Sequence, residues 1–275
     1  MPATNATNSG LPAGVRRERM LAHIRQHDFV RVAELADRFG VSEVTVRTDL
    51  DALSSRGHLR RVRGGAIRRS VPGPERPFEE SAISHAAAKR TIAIAAAAMV
   101  ASGTTVILDV GTTTTAIAQR LAERVELRDV TVFTNSLTIA LALEVASPRI
   151  TVVVTGGTLR PLQHSLVDPL GSMILDNISA AKVFLGCNGV DADGGVTNIN
   201  LPEAEIKRRM LRAARERVVV ADGSKLGEVT LAQLCRIDEI DLLITDESAE
   251  STAVEALREQ GLVVLVATEP GEADR

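Results

Sequence analysis

Cysteine is nearly absent from this 275-residue chain: Cys187 and Cys235 lie far apart, and neither belongs to a CxxC pair. A disulfide framework and a thiolate zinc site are thereby excluded, and a reducing cytoplasm is expected. Long apolar runs are missing too. The start, MPATNATNSGLPAG, lacks the apolar h-region of a secretion signal and reads as a disordered tail over residues 1–14. The Ala-rich run from Ile92 to Ala101 falls far short of the roughly 20 apolar residues that span a bilayer. No membrane partner is expected. The five histidines, His23, His27, His58, His85 and His164, fall at no metal-ligand spacing, with His23 and His27 expected at the surface. Neither a Walker A motif nor a GxSxG nucleophile elbow occurs. No metal or cofactor is expected. Lysine is absent from the first 70 residues, which instead carry 13 Arg against 7 acidic residues, a balance of +6. The remainder holds 19 basic and 28 acidic residues, −9, so the overall charge of −3 hides a basic head on an acidic body. Such asymmetry suggests a nucleic-acid-binding module joined to a part that binds none. A hydrophobic content of 45% excludes disorder throughout and leaves room for two cores.

In the head, Met20, Leu21 and Ile24 recur at helical spacing between Arg16 and Gln26. A second short helix spans Val32 to Phe39, with Ala33, Leu35, Ala36 and Phe39 expected inward. Gly40 permits a left-handed turn, and Ser42 follows as an N-cap. The third helix, roughly Glu43 to Arg56, buries Val46, Leu50 and Leu53 and turns Thr45, Arg47 and Thr48 outward. This order matches a helix-turn-helix. The segment HLRRVRGGAIRR then alternates Leu59, Val62 and Ile67 with arginines around Gly64-Gly65, as in a β-hairpin wing. Ser42, Thr45, Arg47 and Thr48 are the candidates for base edges and neighbouring phosphates, and Arg60, Arg61 and Arg63 those for backbone phosphates. The rival, a helical docking domain with a solvated basic face, requires none of the turn, cap and wing in this order.

From Arg16 to Ala66 the chain closely resembles the DNA-binding domain of the DeoR family of bacterial transcription regulators, in VAELADRFGVSEVTVR and then DL with LSSRGHLRRVRGGA. Family members commonly carry a second basic residue after the helix arginine. This chain has Thr48 there, which bears on the operator sequence.

VPGPERP, just after Ser70, removes backbone donors and marks a boundary. The division expected is a head over 15–70, a connecting segment over 71–88 and a larger domain over 89–270. In the latter, TVILD from Thr105, VTVFT from Val130, ITVVVT from Ile150, KVFLG from Lys182, RVVVAD from Arg217, IDLLITD from Ile240 and LVVLVAT from Leu262 read as strands alternating with helices. Near-continuous apolar strands of this kind form an open, mostly parallel α/β sheet covered on both faces, whose ligands bind outside the strands' carboxyl ends. There lie Asp109 with Gly111, Thr112 and Thr113 opening a helix, Asn135 and Ser136, Gly156-Gly157, Asn188 within GCNGVD, and ADGSK with Lys225. A glycine followed by hydroxyls and free N–H groups at a helix start suits a phosphate, although Thr there equally caps a helix. Together these ends favour a small polyol bearing phosphate.

The resemblance extends here through DVGTT, TNSL, TGG, GVDADGGVTN, EAEIKRRM and ADGSKLG, so that it covers about residues 15 to 268. It implies a sensor related in fold to ribose-5-phosphate isomerase and the CoA transferases, with a sugar phosphate as effector and repression as output. On that analogy Gly111, Thr112 and Thr113 hold phosphate, and Lys207 and Lys225 complement its charge. Asp109, Asn135, Asp191, Asn200 and Glu203 line the pocket. For Lys207 an exposed cation on the helix Pro202 to Ala214 is the alternative. The rival to a sensor is a working isomerase, which needs a carboxylate base and a cation. In the resembling stretch the first acidic place falls on Asn188 and the lysine place near Asn200, and neither amide serves. Binding without turnover, by a homo-oligomer that meets repeated operator half-sites, is the expectation.

Overall fold

The computed structural model describes residues 11–24, 27, 29–54, 59–62, 64–68 and 75–269, and the chain divides between residues 71 and 72 into two units. In the first, helices α1 (Ala13–Ile24), α2 (Val32–Phe39) and α3 (Glu43–Ser54) accompany strands β1 (Phe29–Arg31), β2 (Leu59–Val62) and β3 (Gly65–Arg68). Met20, Ile24, Leu35, Phe39, Val46, Leu50 and Leu53 form one buried cluster, each large side chain contributing about 1.5–3 kcal/mol by leaving water. Gly40 ends α2 at φ 62°, and its N–H donates to the Ala36 carbonyl. The wing is a three-stranded antiparallel sheet in the order β1-β3-β2, because Phe29–Arg31 adds a strand the pattern did not suggest.

Three expectations change here. α1 starts at Ala13, so the ordered chain reaches into the stretch read as a tail. Ala33 is exposed and Val32 takes its place in the core, because the inward face of α2 runs Val32, Leu35, Phe39. His23 is buried against Glu34, its Nε2 lying 3.3 Å from Oε1. Asp49, one residue before Leu50, is buried as well: Arg16 Nε donates to one carboxylate oxygen at 2.6 Å and Arg17 Nε to the other at 2.7 Å. Two arginines of the basic head thus serve the fold.

The second unit opens with α4 (Phe78–Ile83), which lies within the stretch read as connecting segment, and α5 (Ala86–Ala98), which begins in it. There follow β4 (Thr105–Leu108), α6 (Thr112–Glu123), β5 (Val130–Thr134), α7 (Leu137–Glu144), β6 (Ile150–Val154), the hairpin β7 (Thr158–Arg160) and β8 (Ser165–Val167), and α8 (Leu170–Leu175). The chain continues through β9 (Ala180–Gly186), β10 (Gly189–Asp191), β11 (Gly195–Asn198), α9 (Leu201–Arg212), β12 (Ala214–Val220), β13 (Ala232–Cys235), β14 (Leu242–Asp246), α10 (Ser251–Glu259) and β15 (Val263–Ala267). All seven expected strands join one parallel sheet in the order β15-β14-β12-β9-β4-β5-β6.

Side chains alternate across that sheet. Val106 and Leu108 pack with Ile92, Ile117 and Ile139 from α5, α6 and α7. Ile107 faces the other way, toward the core that holds Ile206 and Met210 of α9 and Leu257 of α10. From β4 the chain proceeds outward to β5 and β6, then returns to lay β9 on the other flank of β4. The order reverses there, which makes the carboxyl ends of β4 and β9 the topological switch point.

Candidate functional site

The candidate nucleic-acid face is carried by α3. Ser42 Oγ accepts from the Thr45 N–H at 3.1 Å and lies 2.9 Å from the Thr45 hydroxyl, fixing the first turn. Arg47 stands half out in solvent, steered by Glu43 one turn earlier at 2.6 Å. Thr48 is exposed and returns its hydroxyl to the Val44 carbonyl at 3.0 Å. Val44, which sequence reasoning passed over, is 68% exposed beside them, an apolar contact of the type that reads a thymine methyl. Arg61 Nη1 donates to the Arg47 carbonyl at 2.9 Å and to Asp51 at 2.7 Å, so it ties the wing to α3. The backbone of Arg60 lies in β2, while its side chain and Arg63 lie outside the described residues.

In the second unit the candidates gather at the carboxyl edge of the parallel sheet. Gly111 precedes α6, no side chain caps that helix, and Thr114 and Thr115 return their hydroxyls to the Gly111 carbonyl at 3.0 and 2.7 Å. The Thr residues after the glycine therefore divide: Thr114 and Thr115 bind backbone, while Thr112 remains half-exposed and Thr113 is buried. An uncapped helix start carries unpaired donors and partial positive charge, the chemistry that receives a phosphate. Gly157, at φ 121°, lies so near β8 that a Cβ would meet the Val167 carbonyl oxygen at 2.1 Å; glycine is required for the hairpin to approach. Gly156 is half-exposed beside it.

Asn135 is fully buried. Its Oδ1 accepts from the Val110 N–H at 2.9 Å and its Nδ2 donates to the Leu166 carbonyl at 3.1 Å, so it locks β4, β5 and the hairpin together. Asp191 closes its own turn by accepting from the N–H groups of Asp193 and Gly194. Asn188 accepts from the Ile199 N–H at 3.0 Å, and Asn200 caps α9 by accepting from the Glu203 N–H at 3.1 Å. Asn188, Asn200 and Lys225 are half-exposed at this edge.

The switch point is filled by an ion pair. Lys207 Nζ donates to Asp109 Oδ2, to the Gly186 carbonyl at 3.0 Å and to the Val110 carbonyl at 3.4 Å, while Asp109 Oδ1 accepts from the Gly186 N–H at 2.9 Å. Lys207 is 3% exposed and Asp109 0%, which overturns the reading of Lys207 as an exposed cation. Burial pushes the Lys207 ammonium down to about 7, and its three acceptors work against that loss of the proton. Asp109 and Lys207 thus join β4, β9 and α9, and their polar atoms are directed at one another.

Glu203 sits next to this pair on α9 and accepts from Ser165 Oγ at 2.6 Å and from Arg160 Nη1. Burial holds its carboxyl above the ordinary range. Ser165, Arg160 and Lys89 escaped sequence reasoning. Lys89, in an alanine-rich helix, is buried, its ammonium lowered by burial and acted on by the charges of Asp222 and Lys225. Among the described residues no cluster of three or more His, Cys, Asp or Glu could hold a metal, and no helix is long and apolar enough to cross a membrane.

Comparison with known proteins meets this geometry at both ends. Residues 16–70 match the model of the DeoR-like helix-turn-helix domain, and residues 84–247 that of the DeoR C-terminal sensor domain. The HTH-type transcriptional regulator GlpR of Haloferax volcanii is 33% identical over 255 residues, 93% of this chain and 98% of that protein. The HTH-type transcriptional regulator GolR of Listeria innocua is 31% identical, covering 92% and 98%. The transcriptional repressor AccR of Agrobacterium fabrum is 30% identical, covering 89% and 93%. Among solved structures, ribose-5-phosphate isomerase A of Methanocaldococcus jannaschii aligns with a TM-score of 0.38 at 20% identity, over 52% of this chain and 55% of that one. A match spanning both units, with relatives aligned over nearly their full lengths, makes the chain a member of the DeoR family of helix-turn-helix transcription regulators.

Proposed function

We propose that the protein represses carbohydrate-metabolism genes, gripping operator DNA through α3 and the wing and loosening that grip when a phosphorylated sugar binds at the carboxyl edge of its sensor sheet. The observation that carries this is one sheet edge that bears the uncapped start of α6 together with Gly156, Gly157, Asn188, Asn200 and Lys225, in a chain whose head presents Arg47 outward. Gly111, Thr112 and Thr113 receive the phosphate and Lys225 complements its charge. Asn188, Asp191 and Asn200 face the hydroxyls. Asp109, Asn135 and Lys207 act behind them by fixing the strand ends.

Turnover is not part of this role: the cation and carboxylate at the switch point neutralise each other, and the Asn188 amide cannot take up a proton as a base. Two or more copies present their heads to repeated half-sites, in the cytoplasm where the DNA lies. The effector shifts DNA affinity only by its differential affinity for the two arrangements of that assembly.

A thermal-shift panel of sugar phosphates tests the sensor, since a ligand of the native state raises its melting temperature. A hit that also releases an operator fragment in a gel-shift assay supports the proposal, and Lys225→Ala then weakens the response while effector-free DNA binding stays intact. A protein without preference for any promoter fragment, or one that interconverts aldose and ketose rapidly, refutes it.

A further inference from the structure

Between the head and the sensor sheet the chain passes through residues 75–83, and this segment is clasped by the hairpin that overlies the effector edge. Gln163 Nε2 donates to the Arg76 carbonyl at 2.6 Å, His164 Nε2 lies 2.7 Å from Glu79 Oε1, and Phe78 meets the His164 ring edge-on at 5.6 Å. At the far end of α4, Lys89 Nζ donates to the carbonyls of Ser81 and, at 2.5 Å, Ser84. The same lysine feels the charges of Asp222 and Lys225. The segment is therefore held by the hairpin at one end and by Lys89 of α5 at the other.

The central tie is Arg160 of β7. Its Nη1 donates to Glu203 Oε1 and its Nη2 to Glu75 Oε2 at 2.6 Å, joining positions 43 and 85 residues distant in the chain. All three side chains are largely withdrawn from water, at 18% exposure for Arg160 and Glu75 and 6% for Glu203. One guanidinium thus serves two carboxylates, and Ser165 donates to the same oxygen of Glu203. A rigid planar fork keeps its pose only while both acceptors remain in place.

We propose that Arg160 is the positioning residue through which the effector site controls the segment leading to the DNA-binding head: a sugar hydroxyl that donates to Glu203 displaces Arg160, and the guanidinium then loses the geometry that holds Glu75. This rests on the effector reading of the sheet edge given above, with Glu203 lining that pocket as the family resemblance implies, and adds the route by which occupancy reaches the head. The coupling runs through a discrete pair of ion contacts, a physical element that ligand and segment both bias.

Hydrogen exchange on the full chain tests the tie without any ligand. Arg160→Gln and Glu75→Gln each raise exchange in the peptide covering 78–84 by about tenfold, while peptides from β9 and β12 stay unchanged. Unaltered exchange across 78–84 in both variants overturns the proposal. With a sugar phosphate that stabilises the wild type, Glu75→Gln binds it within about twofold, but its operator affinity is already about fivefold weaker without ligand and falls little further when the ligand is added. A full operator response in Glu75→Gln overturns the proposal as well. If no sugar phosphate binds the wild type, the effector reading falls, whereas the exchange result judges Arg160 independently.

Discussion

Replacing Lys207 by methionine is the sharpest probe of the sensor core. Met matches the length of the lysine stem, so the change removes the ammonium and little volume. Asp109, 0% exposed, would be left with a carboxylate oxygen facing apolar surroundings and the carbonyls of Gly186 and Val110 without their donor. Breaking one side of a buried pair costs about 3–5 kcal/mol, because the stranded charge keeps its desolvation penalty. A unit of this size loses roughly 2–4 °C of melting temperature per kcal/mol, so calorimetry at neutral pH should show a fall of roughly 6–20 °C in the sensor transition.

The double variant Asp109→Asn, Lys207→Met is the control. Its amide oxygen still accepts from the Gly186 N–H, its amide N–H2 replaces the lysine as donor, and no charge remains. Most of the loss should return, giving a coupling energy of about 2 kcal/mol or more. A single variant that melts within about 2 °C of wild type would refute the buried pair, since charge stranded in a dry switch point cannot be that inexpensive.

Arg47→Ala should cost about 1–3 kcal/mol on an operator and little on random DNA, read by competition gel shift; equal losses on both would remove its base-reading role. Asp49→Ala should destabilise the head by about 2 kcal/mol in urea denaturation, because Arg16 and Arg17 lose their shared acceptor, and DNA binding should survive wherever the head remains folded. Burial raises the thiols of Cys187 and Cys235 to about 12, so iodoacetamide at pH 8 should label neither in the native protein and both in urea. These thiols keep their protons in the folded state at pH values where the unfolded chain releases them. Stability should therefore fall as pH rises past about 9, and fall less steeply in the double alanine variant.

The sequence by itself determined the seven parallel strands, since a strand covered on both faces is apolar along most of its length, and runs such as VTVFT and KVFLG announce that whatever their partners. The turn at Gly40, the Ser42 cap and the outward Arg47 were legible for a similar reason: each depends on neighbours within a few residues. Ala33 was misplaced because a single alanine hardly distinguishes the two faces of a short helix, and β1 went unseen because three residues carry little periodicity.

Only the tertiary structure decided the order of the strands, and with it what meets at the switch point. Asp109 and Lys207 stand 98 residues apart, and nothing local tells a lysine on an amphipathic helix that a buried carboxylate awaits it. Arg160, Glu75 and Glu203 are separated in the same way. Local pattern records which side chains must leave water, whereas the partners of a buried charge follow from how the sheet is wound.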